Sequence, residues 1–219
     1  MKLAHSHSSL STFDTCPEQM RHLYIVKKFK KSWTPEKDGG IDAHAVLEQR
    51  IKLQRPLPSE LASAEALVAS FERMGSVEAE VSLAVNRDLK PTAFFDKNVW
   101  FRGKYDVVLS WPEKARAFIG DWKTGKVRES SEQIERGALL FLRSFSWAKT
   151  VAGANIWLQT GKPGTLYKFR REDADHRWAK LIKKMLDIEA LDEKVSWERK
   201  ASPLCPYCPV ADCPNYRGG

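Results

Sequence analysis

Length, composition and charge narrow the classes to which this chain can belong. Its 219 residues, of which 42% are hydrophobic and 29% charged, suit one globular domain with a substantial core. A formal net charge of +8 favours a polyanionic partner, although surface charge also serves solubility. The sequence has no apolar run near the ~20 residues that span a bilayer, no apolar signal core and no Walker-type phosphate loop. These absences argue against a membrane span and an ATP-driven motor, and we expect a cytoplasmic protein.

The N-terminal segment predicts two helices separated by a cysteine. Ser9 or Ser11 suits the cap of the first helix. Pro17, directly after Cys16, suits the first turn of the second, which we expect to run from Glu18 to about residue 28. A basic stretch with interleaved aromatic residues follows and includes Lys27, Lys28, Lys30, Lys31 and Trp33. This stretch could hold phosphates and stack bases, or it could be only a solvated helix end.

The middle of the chain predicts two helices and then a strand. We expect the helices over residues 41–53 and 59–74 and the strand over residues 77–85. His44 lies on the first helix, and Glu78 and Glu80 share one face of the strand. A lone histidine is more often structural than a ligand, and a glutamate on an exposed strand needs no special role. Periodicity alone therefore assigns no function to these three residues.

The most informative stretch predicts two adjacent strands, 101–109 and 115–123. Asp106 lies on the first strand and Asp121 on the second. Lys123 shares a face with Asp121, because side chains two residues apart on a strand point the same way. Two carboxylates and an ammonium group that converge on one patch of sheet are costly unless something occupies their centre. A hard divalent cation with oxygen ligands is the natural occupant.

The rest of the chain predicts a helix, a pair of strands and a terminal helix. They span residues 130–149, 152–159 with 164–169, and 171–194. Gln133 lies near the start of the first of these helices. The terminal helix carries mixed charges and an apolar stripe, which indicates ordinary core packing.

Four cysteines, each followed by proline, lie towards the two ends of the chain: Cys16, Cys205, Cys208 and Cys213. Proline biases the residue before it towards extended geometry, which suits rigid turns that point thiolates at a shared centre. Tetrahedral zinc and a [4Fe–4S] cluster both accept four thiolates, and spacing does not separate them. Two disulfides are the third alternative, which a cytoplasmic compartment disfavours.

Together these motifs resemble the PD-(D/E)xK nuclease superfamily, and most of all its RecB-type branch. The resemblance rests on G-x-x-D at Gly103 and Asp106, on D-x-K-T-G starting at Asp121, and on G-x-x-x-H ending at His44. One N-terminal cysteine with a C-terminal trio is the layout of the iron–sulfur branch. That branch includes the CRISPR-associated adaptation exonucleases and the nuclease domain of AddB-type helicase–nucleases.

The resemblance implies an α/β, restriction-endonuclease-like fold. A mixed central sheet would be flanked by helices, and a four-cysteine centre, a [4Fe–4S] cluster, would staple the N- and C-terminal segments. One nuclease domain would span residues 1–219. Its parts would be a cluster-binding cap (1–35 and 196–219), a nuclease core (39–170) and a terminal helix (171–195).

The resemblance also implies roles for the site residues. The catalytic set would be Asp106, Asp121, Lys123, Glu80 and Gln133. The ligands of Mg²⁺ or Mn²⁺ would be His44, Asp106, Asp121 and the carbonyl of Trp122. RecB-type enzymes carry Q-x-x-x-Y where this chain has Gln133 and then Gly137, so the sequence departs from that motif.

The function implied is a metal-dependent DNA exonuclease that acts on single strands or duplex ends, in DNA repair or recombination. A helicase, a recombinase or a CRISPR integrase would be candidate partners. Two alternatives stay open: a catalytically weak DNA-binding or adaptor protein on the same fold, and a zinc-stapled endonuclease.

Overall fold

A β-sheet carries four of the five predicted catalytic residues, Glu80, Asp106, Asp121 and Lys123. The structure, a computed structural model, describes residues 3–29, 42–125, 127 and 130–216. Within these residues the strands are β1 (Ser76–Val85), β2 (Pro91–Thr92), β3 (Phe101–Trp111), β4 (Arg116–Lys123), β5 (Thr150–Trp157), β6 (Lys162–Pro163) and β7 (Tyr167–Arg170). The α-helices are α1 (His7–Thr15), α2 (Pro17–Met20), α3 (Ala43–Leu53), α4 (Ala62–Met74), α5 (Glu132–Ser144) and α6 (Ala174–Glu189).

The sheet is mixed, as the family resemblance implies. Its strands follow the order β2-β1-β3-β4-β5-β6, and β7 also pairs with β5. The pairs β1–β3 and β3–β4 are antiparallel, whereas β4 and β5 are parallel and joined through α5. The expectation of a mixed central sheet flanked by helices is confirmed.

The chain divides into two compact units. One consists of Met1–Thr34 and Ala179–Gly219, and the other of Pro35–Trp178. The second unit contains the sheet with α3, α4 and α5. The first contains α1, α2 and all four cysteines. The boundaries predicted from the sequence for a cap, a core and a terminal helix stay a prediction.

Several helix boundaries differ from the prediction because of local capping. Ser6, not Ser9 or Ser11, caps α1: its side chain accepts the N–H of Ser9, and the Ser9 hydroxyl accepts the N–H of Ser6. The predicted second helix is short, since α2 gives way to a π-helical turn at Arg21–Ile25. The predicted helix 130–149 is also too long, because α5 ends at Ser144.

Helices cover the two faces of the sheet. On one face, Phe71 of α4 packs against Phe118 and Trp122 of β4, with ring centroids 5.7 and 6.5 Å apart. On the other face, Ile119 of β4 lies against α5, where a Cβ at Gly137 would be 3.0 Å from the Ile119 side chain. The sheet is therefore enclosed between α3 and α4 on one side and α5 on the other.

A buried arginine fixes α3, the helix that carries His44, against α4. Arg50 is only 8% exposed. Its Nε and Nη2 donate to Glu65 Oε1 at 2.8 and 2.6 Å, and its Nη1 donates to Glu72 Oε1 at 2.9 Å. The hydrogen bonds to Arg50 lower the pKa of Glu72 below its ordinary value of 4.5. The charged network thus ties two helices that otherwise meet through apolar side chains.

We expect Arg50→Met to destabilise the protein by about 2–3 kcal/mol at neutral pH, because two partly buried carboxylates lose their partner. The depressed pKa of Glu72 means that its contribution is present above pH 4.5 and is lost as the pH falls through its folded-state pKa. Urea unfolding of both proteins should therefore show a difference that shrinks below about pH 4.5. Lys52→Met, which removes an exposed pair with Glu48, should change stability by less than about 0.5 kcal/mol. A difference for Arg50→Met that is independent of pH would contradict the network's role.

In the other unit, a buried glutamate joins the first and last segments of the chain. Glu18 is 3% exposed. Its carboxylate accepts the N–H of Trp197 at 2.8 Å, and its own N–H donates to the carbonyl of Glu198 at 3.1 Å. Arg21 and His22 lie 3.5 and 3.3 Å from its Oε1. These contacts hold the residues after Cys16 against the segment that precedes the three C-terminal cysteines.

Candidate active site

The candidate site lies where β3 and β4 stop pairing. Regular pairing ends at Val107 and Gly120. One residue further, the Asp106 side chain takes the place of the backbone ladder, because its Oδ2 accepts the N–H of Trp122 at 2.7 Å. The two strands therefore separate next to the predicted carboxylates.

β3 is distorted around Asp106, and β1 is distorted opposite it. Tyr105 packs on α5, where its hydroxyl donates to the carbonyl of Gly137 at 2.8 Å. Val107 instead belongs to the core with α3 and α4, although residues two apart on a regular strand share a face. Opposite Asp106 on β1, Glu80 has a φ of 59°, a left-handed conformation that is unfavourable for a residue with a side chain. One of the five described non-glycine residues with positive φ, Glu80, thus lies at the candidate site, and backbone strain of this kind is common at functional sites.

The start of α3 brings His44 to Asp106. Asp42 caps this helix by accepting the N–H of Ala45 at 3.2 Å, which places His44 in the first turn. His44 Nε2 lies 3.3 Å from Asp106 Oδ2 and 3.2 Å from the carbonyl oxygen of Trp122. The hydrogen bond to Asp106 raises the pKa of His44, against the opposing effect of burial. The imidazole and the carboxylate therefore form one polar pair.

A second group of contacts joins Asp121, Lys123 and Gln133. Lys123 Nζ lies 2.5 Å from Asp121 Oδ2 and donates to Gln133 Oε1 at 3.1 Å, while Gln133 Nε2 donates to Asp121 Oδ1. Burial raises the pKa of Asp121, and the negative charge of Asp106 raises it further, although Lys123 opposes both. Two carboxylates that disfavour each other's ionisation are the arrangement that a bound cation relieves. We call His44, Asp106, Asp121, Lys123 and Gln133 the site network.

Glu80, not Glu78, lies beside the site network. In the β1–β3 register Glu80 is opposite Asp106, and its side chain, 10% exposed, forms an ion pair with Lys104. Glu78 is exposed and pairs with Val108 further along the strand. Because the carboxylate of Glu80 is engaged by Lys104, its role as a further acidic group of the site stays a prediction.

Gly137 occupies the position of the tyrosine in the Q-x-x-x-Y motif, for a packing reason that the sequence did not indicate. A Cβ at this position would be 3.0 Å from Ile119 and 3.1 Å from Tyr105, so the ring of Tyr105 takes up the space next to α5. Glycine inside a helix costs about 1 kcal/mol relative to alanine, and such a residue is a signal of close approach. Tyr105 itself is buried, and burial raises the pKa of its hydroxyl far above the ordinary value.

We expect Gly137→Tyr, which would complete the Q-x-x-x-Y motif of RecB-type enzymes, to destabilise the protein by about 3 kcal/mol, because the new ring overlaps Tyr105 and Ile119. Tyr105→Ala removes one of these two obstructing side chains. The double variant should therefore be more stable than the sum of the two single effects predicts, as measured by thermal or urea unfolding. Strictly additive effects would show that Tyr105 does not exclude a side chain at position 137.

The four cysteines line one cavity of about 220 Å³. Cys16 comes from the N-terminal segment, and the other three come from the C-terminal segment of the same unit. All four are free thiols, so the structure does not contain the pair of disulfides that was the third alternative. Burial raises the pKa of Cys208, and the nearby thiols of the other three add to this shift. Four thiols around one space have the composition that a four-thiolate metal centre requires.

Only part of the predicted basic stretch can be placed. Lys27 is exposed, with a φ of 56°. Lys28 forms an ion pair with Asp212 and lies 5.5 Å from the ring centroid of Phe29. The predicted Lys30, Lys31 and Trp33, like the Gly40 of the histidine motif, lie outside the described residues. Nucleic-acid binding by this stretch stays a prediction.

The side chains satisfy each other only in part, since Asp121 Oδ2 is buried without a hydrogen-bond partner, although Lys123 Nζ lies 2.5 Å from it. Over the described parts of the chain, no three or more His, Cys, Asp or Glu residues are grouped so that they could hold a metal ion. At the site network, Lys123 engages Asp121, while His44 and the Trp122 N–H engage Asp106. The Mg²⁺ or Mn²⁺ ligands and the cluster ligands therefore stay predictions, supported by the crowded carboxylates and by the cavity of four thiols. Among the described helices, none has the length and apolar character needed to cross a bilayer.

Comparison with known proteins supplies the family. Residues 71–213, more than half of the chain, match the PD-(D/E)XK nuclease superfamily. No curated protein sequence matches the chain significantly. A solved structure described as "Crystal structure of SSO0001" has 15% sequence identity and a TM-score of 0.46, over 99% of this chain and 89% of that one. This TM-score is too low to support an argument, so the family match decides. The chain belongs to the PD-(D/E)XK nuclease superfamily.

Proposed function

We propose that this protein is a Mg²⁺- or Mn²⁺-dependent DNA exonuclease of the RecB-type branch, which hydrolyses phosphodiester bonds of single strands or duplex ends. The observation that carries the proposal is the site network, which joins His44, Asp106, Asp121, Lys123 and Gln133 where β3 and β4 separate. A nuclease superfamily, a net charge of +8 and carboxylates of this kind all agree with a nucleic-acid substrate.

The metal would be held by the carboxylates of Asp106 and Asp121, the imidazole of His44 and the carbonyl of Trp122. These are oxygen donors with one nitrogen donor, a set that suits Mg²⁺ and Mn²⁺. Such an ion supplies a water of lowered pKa and neutralises charge that develops on the phosphate oxygens. Glu80 would add a further carboxylate from β1.

Lys123 and Gln133 would act beside the carboxylate of Asp121. The Lys123 ammonium, 2.5 Å from Asp121, would orient the attacking water and stabilise the extra negative charge of the transition state. Gln133 would hold both partners in place, because its amide contacts the Asp121 carboxylate and the Lys123 ammonium at once.

The four cysteines would hold a [4Fe–4S] cluster that staples the two ends of the chain. Their shared cavity and free thiols are the support for this assignment. The same features also favour a zinc-stapled nuclease as a second candidate. Colour separates the two, since an anaerobically purified iron–sulfur protein is brown and a zinc protein is colourless.

The test of the function is digestion of end-labelled DNA. Strands labelled at either end, single or in duplex, are incubated with the protein and Mg²⁺, Mn²⁺ or EDTA. Stepwise loss of nucleotides from one end that requires the metal would support an exonuclease. Internal cuts would favour an endonuclease, and intact DNA with measurable binding would favour the adaptor alternative. A helicase, recombinase or CRISPR integrase partner, and a place in DNA repair or recombination, are further parts of the proposal.

A further inference from the structure

An exposed phenylalanine projects from the connection between β1 and β3. Phe95 is 85% exposed. Its turn is held by two backbone hydrogen bonds, from Asp96 N–H to the Ala93 carbonyl at 2.9 Å and from Val99 N–H to the Asp96 carbonyl at 3.2 Å. The side chain of Asp96 also accepts the N–H of Asn98 at 2.7 Å. The ring is therefore presented to solvent by a well-braced turn.

An arginine from the sheet supports this ring. The guanidinium of Arg102, on β3, lies 5.0 Å from the ring centroid of Phe94 and 5.7 Å from that of Phe95. The two rings meet edge to face with centroids 5.0 Å apart, and Arg102 Nη1 also donates to the Phe94 carbonyl at 3.4 Å. A single exposed apolar residue is normal on a protein surface. Two rings set edge to face beside a guanidinium instead form an aromatic, positively charged cluster.

The surroundings are cationic. Between residues 87 and 104 the chain carries five lysines and arginines and two aspartates: Arg87, Lys90, Lys97, Arg102 and Lys104, with Asp88 and Asp96. Arg87 is also placed over an aromatic ring, 5.1 Å from the Trp100 centroid. Aromatic rings interleaved with cations are the surface that binds single-stranded nucleic acid, by base stacking and phosphate contacts.

Arg102 of this surface and Asp106 of the site network lie on the same strand, β3. Arg102 and Asp106 are four residues apart on β3, which corresponds to roughly 14 Å. The residues between them alternate, since Gly103 and Tyr105 pack on α5, so that Arg102 and Lys104 lie on the opposite face. Lys104 contacts Glu80, which lies opposite Asp106. Arg102 and Lys104 thus lie on one face of β3, and the Lys104–Glu80 ion pair connects that face to the neighbourhood of Asp106, where the alternation of the strand ends.

We propose that Phe94, Phe95 and Arg102 form a stacking platform that holds a base of single-stranded DNA a few nucleotides away from the bond to be cut. This inference rests on the proposed function for its substrate, but the platform can be tested by binding alone. Bound there, a strand would run along β3 with its phosphates near the cations of the turn. The platform would favour unpaired strands, because bases in a duplex are already stacked on each other.

The test measures affinity for a short fluorescein-labelled oligo-dT by anisotropy, in EDTA so that no cleavage occurs. Phe95→Ala should weaken binding by about five- to tenfold, the effect of one lost base stack. Phe95→Trp keeps an aromatic ring at this position and should bind as tightly as wild type does. An oligonucleotide of equal length with abasic sugars should bind wild type more weakly than oligo-dT does, and should bind wild type and Phe95→Ala equally. Folding is not at risk, since the ring is exposed.

Two further variants serve as controls. Tyr207→Ala removes another exposed ring, 77% exposed and in the other unit, and should leave affinity unchanged. The slope of log affinity against log salt is negative, and Lys97→Ala should make it shallower by about 0.7, the value for one phosphate contact on a single strand. Phe95→Ala should leave the slope unchanged.

The outcomes separate the platform from the proposed function. If wild type cuts DNA while Phe95→Ala binds oligo-dT as tightly as wild type does, the platform is wrong and the nuclease stands. If Phe95→Ala loses affinity for oligo-dT but wild type cuts nothing with Mg²⁺ or Mn²⁺, the platform stands and the exonuclease proposal fails. Equal affinity of wild type for normal and abasic strands would also overturn the platform.

Discussion

Asp106→Asn is expected to reduce metal-dependent DNA cleavage by more than about 10³-fold while leaving the protein folded. The asparagine oxygen can still accept the N–H of Trp122, which Asp106 now accepts at 2.7 Å, so the separation of β3 and β4 is kept. Under the proposed function, what is lost is a negatively charged oxygen ligand of the metal. Lewis-acid stabilisation of several kcal/mol depends on it, and each 1.36 kcal/mol of barrier corresponds to about tenfold in rate.

The stability of this variant gives an independent check on the interpretation. The charge of Asp106 contributes to the raised pKa of Asp121, so its removal relieves repulsion within the site network. Asp106→Asn should therefore melt at the same temperature as wild type or higher in the absence of metal, which is the pattern of a residue kept for function. Asp187→Asn, which removes an exposed partner of Lys183 on α6, should change neither activity nor melting. Near-wild-type cleavage by Asp106→Asn would exclude Asp106 from the catalytic site.

The sequence predicted the elements of this site better than their arrangement. The period of two on a strand is enough to place Lys123 on the same face as Asp121, and the two segments around Pro112 form the expected antiparallel pair. The separation of the strands beyond Val107 is not contained in any such pattern. It depends on the side chain of Asp106 replacing a backbone hydrogen bond and on the left-handed conformation of Glu80, and both are tertiary effects.

The features that the sequence did not predict depend on contacts between side chains. Gly137 looked like a loss from a motif, but its reason is the ring of Tyr105, which comes from β3, about 30 residues earlier in the sequence. The cap of α1 was misplaced because both Ser6 and Ser9 are good capping residues, and their reciprocal hydrogen bonds decide between them. Arg102 and Phe95 carried no sequence signal, since an arginine on a strand and a phenylalanine in a turn are common singly.

Cys208→Ser is expected to abolish the brown colour of the anaerobically purified protein and to lower its melting temperature by about 10 °C or more. A centre held by Cys16 and the C-terminal trio closes a loop of nearly the whole chain. Closing so long a loop restricts the unfolded state by about 5 kcal/mol, and in a protein of this size each kcal/mol corresponds to about 2–4 °C. Differential scanning calorimetry and metal analysis of the same sample measure both effects.

Comparison with Tyr207→Ala separates the thiolate from its surroundings. Tyr207 lines the same cavity and is the neighbour but one of Cys205, yet it offers no thiolate, so this variant should keep its colour and melt like wild type. Because serine keeps the size of cysteine, lost packing cannot account for a large difference between the two variants. A colourless wild type with one zinc ion per chain and the same loss of stability in Cys208→Ser would replace the cluster with zinc and keep the staple. A Cys208→Ser protein with unchanged metal content and melting temperature would show that the four thiols hold no metal. Contacts such as those of Glu18 with Trp197 and Glu198 would then be sufficient to join the two ends of the chain.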